Sequence, residues 1–237
     1  KPLIKAYREI DLPAEKKITS ELAVAMLLRE DGQLVEAKKV IVNYITKRPD
    51  DVRGRQVLAH ILHQQKQTED AILVIQKALQ SFPESQKLRL QYARLLTTVD
   101  RSKGLHQFEL LQESTQHSEE VNFLLALLYI EDNKHEKAEK LLNQLTLSYR
   151  YSLDSHYYLG YIHDKNNNSE KAIFNYKKVL EGSNFLAATS RVYELLIQTS
   201  SLVNAKNYLN ILRSSLPERS KELFELESNI LIKIEQP

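Results

Sequence analysis

Apolar residues recur along this chain at intervals of three and four, with polar residues between them. This spacing places the apolar side chains on one face of an α-helix, so it predicts a series of short amphipathic helices. The first two predicted helices carry the pattern through Leu22, Ala25 and Met26 and then Val40, Ile41 and Tyr44. The chain has only 5 Gly and 6 Pro, too few for the many turns of an all-β fold, and the expected class is therefore all-α.

The helical pattern repeats at a fixed interval. One segment carries Ala37 and Pro49, another carries Ala71 and Pro83, each pair is 12 residues apart, and the two segments are offset by 34. The same frame of small residues and prolines continues at Ala25, Ala59, Ala93, Ala126, Ala138, Gly160, Ala172, Ala205 and Pro217. A period of this length is typical of stacked helix pairs that cannot bury their apolar faces alone.

Each punctuating residue has a physical role in such a pair. Small residues let two antiparallel helices approach closely, and a proline after the second helix ends it. Residues that tolerate left-handed backbone, Asp31-Gly32, Asp132-Asn133 and Asn166–Asn168, fall between the paired helices. The third unit is one residue short between its helices and has Gly104 at the small position. The sixth has Tyr193 where a small residue is usual, so its pattern does not support a close helix contact.

The period divides the chain into eight segments. We predict a helix tail and linker at 1–17, six repeats at 18–51, 52–85, 86–118, 119–152, 153–185 and 186–219, and a capping helix or half of a seventh repeat at 220–237. Because the chain starts at Lys1 without Met, we interpret it as a fragment of a longer array. A signal peptide or lipid anchor would then lie outside the sequence given.

The 34-residue period with its small–small–Pro punctuation resembles the tetratricopeptide repeat over roughly residues 18 to 219. The resemblance implies a right-handed α-solenoid of about six antiparallel helix pairs whose first helices line a concave groove. The first unit would present Leu22, Met26 and Arg29 there. The protein-binding residues that the resemblance implies are Arg53, His60, His63, Lys87, Arg94, Phe123, Leu127, Tyr157, Tyr161 and Asp164.

These groove residues suggest a binding surface with a basic part and an aromatic part. The basic side chains would meet carboxylates of a partner, and the aromatic ones would anchor apolar side chains. Each set has a structural alternative: the basic residues can be a solvated face, and helical-spaced aromatic residues are often core.

Composition and motifs argue against other classes of function. Lys plus Arg is 33 and Asp plus Glu is 31, a balance that does not favour nucleic-acid binding. The chain has no Cys and no apolar run long enough to span a membrane. His60 and His63 share a helix face without a third metal ligand at a matching spacing, and His156 and His163 could touch one another. With no catalytic constellation, we predict a non-enzymatic protein with no cofactor and no metal.

A finer resemblance lies in the last third of the chain. The pattern is carried by His156, Tyr157, Leu159, Gly160, Ala172, Ile173, Tyr176, Val179, Gly182, Ala188 and Arg191. It is similar to a group of bacterial envelope lipoproteins that act as adaptors. The resemblance implies that the chain binds a carboxy-terminal-processing protease and delivers peptidoglycan hydrolases to it on the periplasmic side of the envelope. The alternatives are a cytosolic scaffold or co-chaperone, and an enzyme domain fused beyond the fragment.

Overall fold

A computed structural model describes residues 14–114 and 118–235, and all regular structure in these ranges is helical. The helices are α1 (Ala14–Glu30), α2 (Leu34–Lys47), α3 (Val52–Gln64), α4 (Thr68–Ser81), α5 (Gln86–Val99), α6 (Arg101–Ser114), α7 (Glu119–Glu131), α8 (His135–Leu145), α9 (Ser152–Lys165), α10 (Ser169–Tyr176), α11 (Phe185–Thr199), α12 (Leu202–Ser215) and α13 (Ser220–Glu235). The predicted all-α class and its helix pairs are confirmed.

The chain divides into two compact units. Unit 1 contains α1–α6 and unit 2 contains α7–α13. In unit 1, α1 packs on α2, α3 on α4 and α5 on α6, and the successive first helices α1, α3 and α5 also contact one another. No described helix is long and apolar enough to cross a membrane.

The turn inside each helix pair follows the 34-residue period. Gly32, Lys66, Asn133 and Asn167 all have left-handed backbone, with φ of 78°, 65°, 57° and 56°. At each turn the next residue's N–H bonds back to a carbonyl five residues earlier, as Gln33 does to Leu28 at 2.9 Å. The third pair lacks this turn because α5 and α6 are separated by Asp100 alone, against three residues in each of the other two pairs of unit 1. This is the unit in which the sequence predicted a connection one residue short. Left-handed backbone at Lys66 was not predicted, since lysine carries no turn signal.

The small residues lie where paired helices touch. A Cβ at Gly104 on α6 would come 2.6 Å from the backbone nitrogen of Thr97 on α5, and one at Gly160 on α9 would come 2.6 Å from the ring of Tyr176 on α10. Ala25, Ala37, Ala59, Ala71, Ala93, Ala126, Ala138, Ala172 and Ala205 are all fully buried. The close approach predicted from the small–small spacing is therefore confirmed.

In the sixth pair a large side chain fills the position that a small residue occupies in the other pairs. Tyr193 on α11 is fully buried among Phe185, Leu209 and Leu223. Its hydroxyl donates to Glu227 Oε1 on α13 at 3.2 Å, and Glu227 also accepts from the Arg213 guanidinium on α12. These contacts, together with buried Leu223 and Ile230, pack α13 against α11 and α12.

The start of the first helix lies within the first predicted segment. Helix α1 begins at Ala14, inside the segment 1–17 that was assigned to a helix tail and linker. The rest of that segment, residues 1–13, lies outside the described residues.

Two glycines of unit 1 provide a matched test of the packing. In Gly104→Ala the new methyl meets Thr97 backbone at 2.6–2.7 Å, whereas in Gly54→Ala it meets only the side chains of Ile45 and Tyr44 at 2.9 Å. Backbone cannot rotate away, so we expect Gly104→Ala to lower the free energy of unfolding by about 2–3 kcal/mol. For Gly54→Ala we expect about 1 kcal/mol or less, because better helix propensity offsets the clash. Urea unfolding followed by circular dichroism measures both, and equal effects would contradict the packing described.

Tyr193 makes unit 2 sensitive to alkaline pH. Burial, followed by the charge of Glu227 and its hydrogen bond, raises the pKa of Tyr193 to about 12. In the unfolded chain a phenol titrates at pH ~10. The stability that the protonated, buried Tyr193 hydroxyl contributes is therefore fully present below pH ~10 and is lost as the pH rises toward ~12. We expect Tyr193→Phe to lose less stability than the wild type between about pH 9 and about pH 11.5 in urea titrations. Tyr149→Phe is the control, because Tyr149 is fully exposed; a response in it equal to that of Tyr193→Phe would refute the assignment.

Candidate functional site

In unit 1 two of the three first helices, α3 and α5, carry charges of one sign. Helix α3 contains Arg53 and Arg55, helix α5 contains Lys87, Arg89 and Arg94, and neither helix contains Asp or Glu. Their partner helix α4 carries Glu69 and Asp70 in its first turn. Positive charge is therefore concentrated on α3 and α5.

Three of these five cations are committed to the turns that begin their helices. Arg53 binds Asp51 through Nε at 3.0 Å and Nη2 at 2.6 Å, and Arg89 Nε donates to the Pro83 carbonyl at 2.9 Å. Arg55 donates to the Pro49 carbonyl and lies 5.6 Å from the centre of the Phe82 ring.

The Arg53–Asp51 pair changes the titration of Asp51. Hydrogen bonds from the Arg53 guanidinium hold the pKa of Asp51 well below its usual range, and bonds from Tyr44 and the Arg53 backbone act in the same direction. The predicted groove residue Arg53 is thus already paired with a carboxylate of its own chain.

A second set of cationic groups lies farther along the same helices. We call Arg29 on α1, His60 and His63 on α3, and Arg94 on α5 the cationic cluster. Arg29 and His63 stand four residues after the small residues Ala25 and Ala59, and His60 and Arg94 stand one residue after Ala59 and Ala93. The 34-residue period therefore puts them at equivalent positions on adjoining helices.

The members of the cationic cluster act on one another. Desolvation lowers the pKa of His60, and the charges of Arg29, Arg94 and His63 lower it further. The His63 imidazole shares a 3.0 Å hydrogen bond with Thr68 Oγ1 on α4. Arg29 is largely buried, with 20% of its side chain exposed, and its Nε–H has no hydrogen-bond partner among the described residues.

The other residues predicted to line the groove in unit 1 differ in their exposure. Lys87 and Met26 are exposed, as expected of groove residues. Leu22 is only 7% exposed and belongs to the core formed by α1, α2 and α3, so its prediction as a lining residue was wrong.

Unit 2 has a cleft of about 430 Å³ that we call the tyrosine cleft. Its walls come from α9, α10, α11 and the turn before α10. They consist of Tyr157, Tyr161, Asp164, Lys165, Asn167, Tyr176, Ala187 and Arg191. Three predicted residues, Tyr157, Tyr161 and Asp164, therefore line one site. Its size is in the range of pockets that hold small molecules or partner side chains.

An ion-pair network forms the polar side of the tyrosine cleft. Arg191 binds Asp164 through Nε at 2.6 Å and Nη2 at 3.0 Å, and its Nη1 binds Glu194 at 2.6 Å. The bond to Asp164 raises the pKa of Arg191 further above its ordinary value. Burial raises the pKa of Tyr176, and Asp164 contributes in the same direction. The cleft therefore offers phenol rings beside a carboxylate that is paired with an arginine.

Aromatic rings extend from the tyrosine cleft toward α7. The ring centroid of Tyr157 lies 5.8 Å from that of Tyr176 and 5.2 Å from that of Tyr158. The ring of Phe123 lies 5.9 Å from Tyr158 and stacks on Tyr151 with a centroid distance of 4.8 Å. Phe123, Leu127 and Tyr157 are half-buried. These side chains pack between helices and are still partly exposed. They can therefore both stabilise the helix packing and contact a partner.

Tyr176 and Arg191 line the tyrosine cleft but were absent from the predicted site. Both appear in the sequence pattern of the last third, where they were assigned only to the resemblance. Tyr176 lies on a second helix, and the prediction used first helices alone.

The remaining histidines have separate partners. His163 is buried with Nε2 3.8 Å from Glu139 Oε1, whereas His156 Nδ1 lies 3.1 Å from Asn175 Oδ1. The predicted His156–His163 contact is therefore replaced by two contacts with neighbouring helices. In the parts of the chain that the structure describes, no group of three His, Asp or Glu is arranged to hold a metal ion.

A model of a known protein family matches three segments of this chain. The tetratricopeptide repeat family model matches residues 52–85, 119–149 and 153–181. A search of curated proteins finds no match.

Solved structures share the fold at low sequence identity. PilF of Pseudomonas aeruginosa is 15% identical with a TM-score of 0.67, covering 90% of this chain and 98% of that one. PilW, a type IV pilus biogenesis factor, is 15% identical with a TM-score of 0.63, covering 87% and 98%. Human IFIT1, solved as a dimer with PPP-AAAA, is 18% identical with a TM-score of 0.69, covering 92% of this chain and 54% of that one.

At this sequence identity the likeness establishes the fold and selects no partner. The sequence matches at 52–85, 119–149 and 153–181 coincide with the helix pairs α3–α4, α7–α8 and α9–α10. The segments that the tetratricopeptide repeat model matches therefore lie in both units.

Proposed function

We propose that this chain is a non-enzymatic scaffold that binds segments of other proteins through the first helices of its repeats. Tetratricopeptide repeats bind proteins or peptides. The observation that carries the proposal is that side chains suited to such binding gather there, in the cationic cluster of unit 1 and the tyrosine cleft of unit 2.

The two sites suit different parts of a partner. Arginine and protonated histidine make charge-assisted hydrogen bonds to carboxylates. Tyrosine rings bury a large apolar area and still offer a hydroxyl, which is why they are frequent anchors at interfaces. In the tyrosine cleft the Asp164–Arg191 pair holds the polar wall in place, so the half-buried rings of Tyr157 and Tyr161 can accept an apolar or aromatic side chain.

We further propose that the scaffold is an envelope adaptor that brings a carboxy-terminal-processing protease together with peptidoglycan hydrolases. This proposal rests on the sequence pattern of the last third. Most residues of that pattern are buried, among them Leu159, Gly160, Ala172, Val179 and Ala188. They specify the packing of α9, α10 and α11, while Tyr157, Tyr176 and Arg191 line the tyrosine cleft.

Affinity capture separates the proposed adaptor from its alternative. The full-length protein is used as bait in the envelope and cytosolic fractions of its own cells, and captured proteins are identified by mass spectrometry. Enrichment of a processing protease with cell-wall hydrolases supports the adaptor. Capture of cytosolic assembly or signalling proteins alone contradicts it and favours the cytosolic scaffold, and capture of no protein contradicts the scaffold itself.

The tyrosine cleft can be blocked without removing a core side chain. Ala187 is exposed and lines the cleft, so Ala187→Phe places a ring in it. We expect this variant to lower capture of the partner by about tenfold with an unchanged thermal midpoint, because a hot-spot pocket is filled. Asn207→Phe is the matched control, since Asn207 is exposed on α12 and outside the cleft. Equal capture by Ala187→Phe and wild type would remove the tyrosine cleft from the binding surface.

A further inference from the structure

We infer that the tyrosine cleft of unit 2 binds a lysine side chain of a partner protein, with its stem along the phenol rings and its ammonium group against the Tyr176 hydroxyl and the Asp164–Arg191–Glu194 network. This inference rests on the proposed scaffold function. It sharpens the occupant of the cleft to a side chain that is apolar along its stem and charged at its end. It also makes Lys165 the side chain that the partner's lysine displaces.

A hydroxyl of a buried residue is the first support. Tyr176 is only 3% exposed and lines the tyrosine cleft, and its hydroxyl has no hydrogen-bond partner among the described residues. The hydroxyl still reaches solvent, because it is not one of the polar atoms that are sealed in the described part of the chain without a partner. Polar groups of buried residues are nearly always hydrogen-bonded, so this hydroxyl is suited to bond a group that enters the cleft.

Packing fixes the position of that hydroxyl. The Tyr176 ring lies against Gly160, where an added Cβ would come 2.6 Å from it, and its centroid is 5.8 Å from that of Tyr157. Burial, and after it the charge of Asp164, raises the pKa of Tyr176, which is consistent with a hydroxyl near the charged side of the cleft. An entering group would therefore meet a rigid phenol oxygen close to a carboxylate.

The charge of the ion-pair network is the second support. Two carboxylates, those of Asp164 and Glu194, bind the single guanidinium of Arg191, each at 2.6 Å. All three side chains are paired with one another, and the network as a whole keeps one net negative charge. A cation near the network gains Coulomb energy, whereas a third carboxylate would be repelled.

Lys165 already places an ammonium group at the tyrosine cleft. Its Nζ lies 5.4 Å from the centre of the Tyr161 ring, within the range of a cation–π contact, and it makes no salt bridge with another described residue. Lys165 is exposed at the end of α9, so its side chain can turn outward into solvent. We expect a partner's lysine to take the same ring face, because a cation–π contact is stronger when it is desolvated in an interface.

Lysine matches both sides of the tyrosine cleft. Its stem is apolar and covers ring surface, and its ammonium group carries three donors. A carboxylate accepts up to about four hydrogen bonds, and Asp164 receives two from Arg191. Asp164 and the Tyr176 hydroxyl can therefore both accept from the ammonium group without breaking the ion pair.

The first helices of unit 2 have the complementary charge. Helices α7, α9 and α11 carry six Asp and Glu residues against two cations, Lys165 and Arg191. Some of these carboxylates are hydrogen-bonded, as Asp154 is to the amide of Asn184 at 2.8 Å, but a bond from a neutral group leaves the charge in place. The surface through which we propose that a partner binds therefore favours a basic segment.

The test uses the whole chain and a defined probe. The peptide Ser-Gly-Lys-Gly-Ser, blocked at both ends, is titrated into isotope-labelled protein and followed by the amide signals in NMR spectra. The same peptide with norleucine or Glu in place of Lys is the comparison, because norleucine keeps an apolar stem without the charge. We expect the Lys peptide to bind at least about fivefold more tightly than either. We expect its largest shifts at Asn167 and Ala187, which line the cleft.

Removal of Lys165 gives a result whose sign identifies the ligand. We expect Lys165→Gln to tighten binding of the Lys peptide about threefold, because a competing ammonium group and its charge are removed. An anionic ligand would instead lose affinity. Lys206→Gln is the matched control, since it removes one charge from an exposed position on α12 of the same unit, outside the cleft.

The Tyr176 hydroxyl is tested by removing one oxygen atom. We expect Tyr176→Phe to weaken binding of the Lys peptide about fivefold with an unchanged thermal midpoint, because the ring and its packing remain. Tyr208→Phe is the control, since Tyr208 is a half-buried tyrosine of unit 2 that does not line the cleft.

Four outcomes would overturn the inference: equal binding of the three peptides, preference for the Glu peptide, weaker binding after Lys165→Gln, and shifts that lie away from the cleft. An effect of Tyr208→Phe equal to that of Tyr176→Phe would contradict the role of the Tyr176 hydroxyl. Partner capture that persists while the Lys peptide fails would overturn this inference and leave the scaffold function standing.

Discussion

The fold of this chain depends on helix pairs that approach more closely than ordinary side chains allow. At Gly104 and Gly160 a single added carbon would overlap the neighbouring helix, and the alanines at equivalent positions are completely buried. Protein interiors are packed as densely as organic crystals, so such contacts leave no freedom to slide. The position of every other side chain on the pair follows from this contact.

Fixed helix pairs make the outward positions of the first helices equivalent from one repeat to the next. The cationic cluster is a consequence, since Arg29 and His63 occupy one such position and His60 and Arg94 another. Residues far apart in sequence become neighbours because adjoining first helices contact one another. A binding surface can thus be built by point changes that leave the packing intact, which is why the fold carries many functions.

The two units use this freedom differently. Unit 1 separates its turn-bound arginines from the cations of the cationic cluster, while unit 2 combines phenol rings with an ion-pair network that orders one wall of the tyrosine cleft. A charged site contributes mostly to specificity and rate of association, and an aromatic pocket contributes mostly to affinity. A scaffold with both can recognise a partner by charge and retain it by burial.

The sequence by itself determined the helices, their 34-residue period, the close contacts and most of the turns. These are local or periodic properties: an apolar stripe selects a helix, a small residue permits approach, and Gly32 or Asn133 permits left-handed backbone. The contacts that each polar side chain makes were decided only by the tertiary structure. Arg53, which was predicted to meet a partner, is paired with Asp51 of its own chain. Tyr176 entered the tyrosine cleft from a second helix, and Arg191 entered it from a position on α11 that the predicted site left out. Leu22 became core for the same reason. A flexible charged side chain takes the nearest partner in space, and which group is nearest depends on how neighbouring pairs stack, a property that no single repeat encodes.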